Sequence, residues 1–467
     1  MTLPTATPSS QGIDPVALAD FVDAVDTDPR IEAHGLIVQR RGRRVLEAYW
    51  SPHRAGESRL VYSLSKSFTG AALGLAVGDG LVSLDDRVAD HLGDLMVDPG
   101  PLTERTLIRH IASMSSGHRD ETLLDAFMAE PDDPLRGYFT LEPDHEPGTW
   151  FAYNQPPVLA LSALLHRVTG RRLVDQLRAR VLEPIGIGDL RWYQYRPGVD
   201  LGFSGVFTDL DAIARFGQLH LDDGVWGGRR LLPEGWVGLA SSIQVTNEQR
   251  IEPDWSRGYG FQLWMCRHGF RGDGAFGQYM VVLPEQDAVV AFFSHTEDMQ
   301  SFMDLIWDRL LPAFDPPRPP DPSADAAVAE RTTALQHPTA SARSGWAGSP
   351  STALRGSFTR ADGVVSHSSI TAVEIDGTHM LLHEGDLVTR IPLSSSWVDV
   401  AGVPMSASAA ADGDGRLTVD LVLRATPHRL VLTTDPTTST FTATWPLFPL
   451  FGMGLDTALA RIGPPPD

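Results

Sequence analysis

The period of the apolar positions changes several times along the chain, and each change predicts an element. Asp14-Pro15 opens an amphipathic run to about Val25 that predicts a short helix. Leu36-Ile37-Val38 and Val45-Leu46 flank Gly42 and predict two paired strands over about 34–50. From Tyr62 the spacing turns helical, with Leu64, Phe68, Ala71, Leu73, Leu75 and Ala76 on one face, until Gly78-Asp79-Gly80. Helical periods recur at 103–113, 121–130, 156–168, 173–182 and 208–221. Strand-like runs return at 258–268, 275–283 and 287–294, and a last helix is predicted at 298–311. Two strands, a long helical middle, three strands and a closing helix predict an α/β (α+β) domain over 13–312, a sheet flanked by helices with a helical insertion.

Outside that span the pattern weakens. Residues 1–12 are expected to be disordered. The stretch 313–350 holds Pro316-Pro317 and Pro319-Pro320 among many Ala, Ser and Thr, without sustained period, and reads as a linker. Residues 351–467 carry short alternating runs such as Leu417-Val419-Leu421-Leu423, separated by turns at Asp362-Gly363, Asp376-Gly377 and Asp412-Gly413. They predict an all-β, barrel-like C-terminal module. Its residues do not choose between covering a cleft and mediating oligomerisation.

Composition narrows the functional classes. The 467 residues carry a formal charge of −21, which argues against nucleic acid or an anionic membrane as partner. A single cysteine, Cys266, excludes a disulfide framework, and no Cys/His spacing suits a structural metal, so no metal or cofactor is expected. No apolar run approaches the roughly 18–20 residues of a membrane span, and Met1–Gln11 lacks the basic and apolar regions of a secretory signal. A soluble, cytoplasmic protein acting on a small molecule or short peptide is expected. Of the 38 basic residues one, Lys66, is lysine. A coding preference for arginine explains the scarcity; it does not explain where the one lysine sits.

Lys66 falls in Tyr62-Ser63-Leu64-Ser65-Lys66, at the start of the apolar helix. Helical residues three apart share a face, so Ser63 and Lys66 bring a hydroxyl and an amine together. A serine hydroxyl needs a neighbouring base to act as nucleophile, and a lysine supplies one if burial depresses its pKa. The bland alternative is a surface lysine beside a helix-capping serine. A second motif, Trp150-Phe151-Ala152-Tyr153-Asn154-Gln155, places a phenol and amides on a loop before a helix. A third, Arg271-Gly272-Asp273-Gly274-Ala275, puts glycines beside a strand, where a substrate backbone can lie close and an amide can face an oxyanion. Taken singly, a buried loop tyrosine and a glycine-rich hairpin account for these two.

Together, in this order, Ser63-Leu64-Ser65-Lys66, the Tyr153 motif and the Gly272–Gly274 motif resemble the serine β-lactamase and penicillin-binding-protein superfamily, in its class C-related branch. That branch includes family VIII esterases, D-aminopeptidases and 6-aminohexanoate-dimer hydrolases. Leu84-Asp85-Asp86, Ile108-Arg109-His110-Ile111, Ala214-Arg215-Phe216-Gly217 and Gly258-Tyr259-Gly260-Phe261 add to the similarity, which covers roughly 30–312. The resemblance implies a β-lactamase-like antiparallel sheet flanked by helices. It implies Ser63 as acylated nucleophile, Lys66 as base or relay and Tyr153 as the group that moves a proton to the leaving group. The main-chain N–H groups of Ser63 and Ala275 would form the oxyanion hole, with Asn154, Gln155, Gly272, Asp273 and Gly274 at the substrate. Whether Lys66 or Tyr153 takes the serine proton first stays open.

Two positions depart from the superfamily pattern. Tyr-x-Asn becomes Tyr153-Asn154-Gln155, so either amide can serve. The cation that opens the third motif in β-lactamases and carboxypeptidases is replaced by Gly272, followed by the acidic Asp273. The expectation is therefore a hydrolase of neutral or amine-bearing esters and amides rather than a true β-lactamase or D-alanyl-D-alanine carboxypeptidase. The alternatives are an aminolysing peptide cyclase or D-aminopeptidase of the same superfamily, or a non-catalytic ligand-binding member.

Overall fold

The computed structural model describes residues 3–314, 319–348, 350, 355–361 and 369–450. The expected turn at Asp362-Gly363 lies outside them. The central sheet has six antiparallel strands, β1 (Glu32–Arg40), β2 (Arg43–Tyr49), β3 (Trp264–Cys266), β4 (Gly269–Gly274), β5 (Gln278–Leu283) and β6 (Ala288–His295), in the order β3-β4-β5-β6-β1-β2. Residues far apart in sequence meet in its middle, where β1 pairs with β6 through Leu36 opposite Phe292. Strands β5 and β6 are buried along their whole length, so both faces are covered and the pattern reads as a continuous apolar run.

One strand differs from expectation. The run 258–268 yields only the short β3, and the six residues after it form β4, which the apolar pattern did not mark. Arg271 and Asp273 break the hydrophobic alternation, yet both are buried and bonded to each other at 2.9 Å. A paired charge can occupy a core position where its sequence signature suggests surface.

Helix α1 (Pro15–Thr27) is capped by Asp14, whose side chain accepts from the Val16 N–H. Helix α2 (Ser65–Gly78) runs through the centre of the domain and is buried nearly all round. Its glycines at four-residue spacing form a groove. A Cβ on Gly74 would stand 2.4 Å from Trp236 Nε1, and one on Gly78 2.4 Å from Pro233 Cγ. Helix α3 (Pro156–Thr169) packs on α2, and α4 (Leu210–Leu221) packs on β5 and β6.

Residues 3–12, expected to be disordered, and 319–335 of the expected linker pack on this domain, whereas 340–348 lie against the C-terminal sheet. The Arg44 N–H donates to the Pro4 carbonyl, and the Ser9 hydroxyl donates to Asp325 at 2.5 Å. Asp325 belongs to α5 (Pro322–Thr333), which packs along α1 and carries Arg331 to Asp23 and Asp26. Asp321-Pro322 opens α5 as Asp14-Pro15 opens α1, and Asp321 accepts from the Ala324 N–H. An Ala-rich helix with only one large buried apolar residue, Val328, leaves a weak period, so composition misread it as linker.

The C-terminal module is one nine-stranded sheet over 356–444. Its first strand, Gly356–Arg360, pairs in parallel with its last, Thr440–Thr444. The turns at Asp376-Gly377 and Asp412-Gly413 lie between strands as expected. The two edge strands are not paired to each other among the described residues, so the ladder is open rather than a closed barrel. Its buried face centres on Met380, Met405, Leu421, Leu432 and Phe441. Glu32, Arg343, Asp420 and Arg429 form one ion-pair network that ties β1, the connector and this sheet together.

Candidate active site

Ser63 sits in a single 3-10 turn, Tyr62–Leu64, between the short strand Arg59–Leu60 and α2. One turn further, Lys66 is 1% exposed and its Nζ lies 3.0 Å from Ser63 Oγ. Two more acceptors surround the amine: Gln155 Oε1 at 2.7 Å and the Phe203 carbonyl at 2.8 Å. Burial lowers the Lys66 pKa to about 7, against the opposing pull of Asp273 and Glu121. An ammonium would donate to all three acceptors. A neutral amine has two N–H bonds and one lone pair, and the carbonyl oxygens of Gln155 and Phe203 can only accept. Its lone pair therefore faces the Ser63 hydroxyl.

Tyr153 lies over the same amine, its ring centroid 4.7 Å from Nζ, and stacks on Trp264 at 5.2 Å. Its hydroxyl contacts the Ser63 side chain; burial, with Asp273 nearby, raises the phenol pKa, so it stays protonated near neutrality. The structure separates the two amides that follow. Gln155 reaches Lys66. Asn154 is fully buried, and its Oδ1 accepts from the Thr122 N–H and Thr122 hydroxyl, both at 3.0 Å. Asn154 is thus a clasp between two loops and not the expected substrate amide.

The third motif also differs from expectation. A Cβ on Gly272 would stand 2.2 Å from Ser67 Oγ, and one on Gly274 2.0 Å from the Val61 carbonyl. These glycines let β4 lie against the serine turn; their bare faces meet the protein, not a substrate. Asp273 is 6% exposed and bonded to Arg271, so it is not the free substrate-facing carboxylate that the sequence suggested. Past Gly274 the chain turns through Ala275 and Phe276, which pack on Leu60, Tyr62 and Phe207. Gln278 braces this turn, its Nε2 donating to the carbonyls of Phe276 at 3.0 Å and Ser294 at 2.8 Å.

The structure brings together Ser63, Lys66, Tyr153, Gln155 and the β4 backbone. It adds the Phe203 carbonyl and Arg271. The only hint of the former was the glycine-bounded stretch Gly202-Phe203-Ser204-Gly205; the latter was legible as a motif residue but not as a buried partner. Among the described residues, His34, His53 and His337 are the one group of ligand-type side chains close enough for a metal. The Arg59 guanidinium lies 2.8 Å from His34 Nδ1 and can only donate, so that lone pair is taken and a cation would sit beside a guanidinium.

A serine turn opening a buried helix, a lysine one turn on and a tyrosine loop facing both, beside an antiparallel sheet, define a class of hydrolase. The profile of the beta-lactamase family matches residues 18–313, and the chain belongs to that family. It is 25% identical over 281 residues to the 6-aminohexanoate-dimer hydrolase of Paenarthrobacter ureafaciens, covering 55% of this chain and 71% of that protein. EstCE1, described as a hydrolase with promiscuous acyltransferase activity, superposes with a TM-score of 0.52 at 18% identity, over 63% of this chain and 99% of its own. The octameric penicillin-binding protein homologue of Pyrococcus abyssi superposes with a TM-score of 0.51 at 15% identity, over 90% of this chain and 98% of its own. Among the described residues no helix is long and apolar enough to cross a membrane.

Proposed function

We propose that the protein is a serine hydrolase that cleaves esters or amides of small neutral or amine-bearing substrates through an acyl-enzyme on Ser63. Neutral Lys66 removes the Ser63 proton, and Oγ attacks the substrate carbonyl. The oxyanion is held by the main-chain N–H groups of Ser63 and Ala275. The Tyr153 phenol protonates the leaving group as the carbonyl–leaving-group bond breaks and recovers its proton from Lys66. Water then adds to the acyl ester by the same route in reverse, releasing the acid and restoring Ser63. The observation that carries this reading is the amine geometry: two acceptor-only carbonyls and one hydroxyl around a buried lysine.

Substrate polarity follows from the third motif. Gly272 offers no side chain to hold a substrate carboxylate, and the Arg271 guanidinium is fully buried, its Nε donating to Asp273. The 6-aminohexanoate-dimer hydrolase to which the chain is similar takes, by its name, an amine-bearing substrate. A fluorophosphonate probe and a panel of short-chain p-nitrophenyl esters and D-amino-acid amides test the reading. Labelling and turnover are expected in the wild type and lost in Ser63→Ala; equal labelling of that variant would overturn it.

A further inference from the structure

The two segments assigned to the oxyanion hole carry an unusual backbone. Tyr62, immediately before Ser63, has φ 48°, and Phe276, immediately after Ala275, has φ 64°. Bulky aromatic residues rarely adopt the left-handed region, and they hold it only where the surroundings over-determine it. Both rings converge on one side chain of the other module. The His428 ring lies 4.8 Å from the Phe276 ring between centroids, and its Nε2 is 2.5 Å from the Tyr62 hydroxyl. The Tyr62 and Phe276 rings also meet edge to face at 5.3 Å.

His428 stands on the turn between Leu417–Leu423 and Arg429–Asp435, and that whole turn is docked on the strand leading to Ser63. The Leu60 N–H donates to the Ala425 carbonyl at 2.9 Å, and Arg59 donates to the Thr426 carbonyl at 2.7 Å. Arg424 reaches back to Glu57 at 2.6 Å. Burial keeps the Tyr62 phenol protonated and the His428 imidazole neutral, so the contact is an uncharged hydrogen bond enclosed by protein.

We propose that His428 is a positioning residue for the oxyanion hole, and that the C-terminal module thereby completes the catalytic centre of the other domain. This rests on the reading of Ser63 as the acylated nucleophile. His428 touches no substrate atom in this account. It holds Tyr62 and Phe276 in their left-handed backbone, and those residues aim the Ser63 and Ala275 amides.

The test uses the full chain, a short-chain p-nitrophenyl ester and a phenylboronic acid, which adds to a serine oxygen as a tetrahedral anion. His428→Ala is expected to lower kcat about 10- to 100-fold, the scale of a small misplacement of catalytic groups, with KM nearly unchanged. The boronic acid is expected to lose affinity by a similar factor. His428→Gln, which keeps a hydrogen-bonding group, is expected to recover part of the loss. Tyr62→Phe removes only the hydroxyl and is expected to reproduce the kcat loss. The double variant should lose less than the two single losses combined, because the two residues share one hydrogen bond. If His428→Ala does not fold, Tyr62→Phe and His428→Gln decide. Ser63-dependent turnover that ignores both His428→Ala and Tyr62→Phe overturns this inference alone. Turnover that survives Ser63→Ala overturns the nucleophile assignment, and this inference with it.

Discussion

At the scale of single residues, the amine of Lys66 is held by groups that do opposite things to its proton. Burial expels the charge, and Ser63, Gln155 and Phe203 receive its hydrogen bonds. In the proposed mechanism the free amine is the active form, so the rate should rise with pH through an apparent pKa of about 7 and level off above it. A rate independent of pH from 5 to 9 would refute the assignment of Lys66 as base. Lys66→Arg keeps the charge but cannot release it, and the acylation rate should fall by about 10²- to 10⁴-fold. Gln155→Glu places a carboxylate against the amine and favours its charged form, so the rate profile should move toward alkaline pH. Asn154→Ala makes the contrast: it strips Thr122 of a buried acceptor, so about 1–3 kcal/mol of stability should be lost in urea titration with kcat near the wild-type value.

At the scale of elements, the site depends on how closely β4 approaches the serine turn. Gly274→Ala would push a methyl into the Val61 main-chain carbonyl, a clash that no rotamer change relieves. Overpacking of this kind costs about 1–3 kcal/mol, and here the displaced segment carries the Ser63 and Ala275 amides. The variant is expected to lower both melting temperature and kcat, whereas Gly42→Ala, with nothing near its Cβ, should leave kcat alone. Elements also show why some of the chain was legible and some was not. Most strands and helices could be read from their apolar runs and the turn residues between them, although α2, β5 and β6 are buried on nearly every side. Strand β4 could not, because its Arg271–Asp273 pair belongs to a core that only the folded neighbours reveal. Helix α5 could have been read from its Asp321-Pro322 cap, which repeats the signature at Asp14-Pro15.

At the scale of the molecule, histidines buried around the junction of the two modules make the assembly acid-sensitive. His34, His53, His295, His337 and His428 are all held neutral by burial, His295 and His337 down to about 4 and the rest also well below the ordinary value. Their folded pKa lies below the unfolded value of about 6.5, so the unfolded chain takes up protons first as pH falls. The histidines' contribution to stability should be full above about pH 7 and decline between about 6.5 and 4, by up to roughly 1.4 kcal/mol per histidine per pH unit. Urea midpoints measured at pH 7, 6 and 5 should therefore fall in sequence, and a constant midpoint would contradict neutral burial.

The lone lysine three residues after a serine, the tyrosine loop and the glycine-rich third motif are local features, and the sequence by itself determined them along with the mixed α/β class and the β-rich C-terminal module. These depend on spacing within one turn or one strand, which the chain carries in its order. Only the tertiary structure decided which amide faces Lys66, because Asn154 and Gln155 are adjacent and differ only in the direction their loop sends them. It also decided that Asp273 is neutralised by Arg271, that the Phe203 carbonyl completes the lysine's shell, and that His428, 365 positions beyond Ser63 by the numbering, stands against the residue before Ser63. Each of these is a contact between distant segments, set by packing geometry and burial, for which no periodicity exists in the sequence.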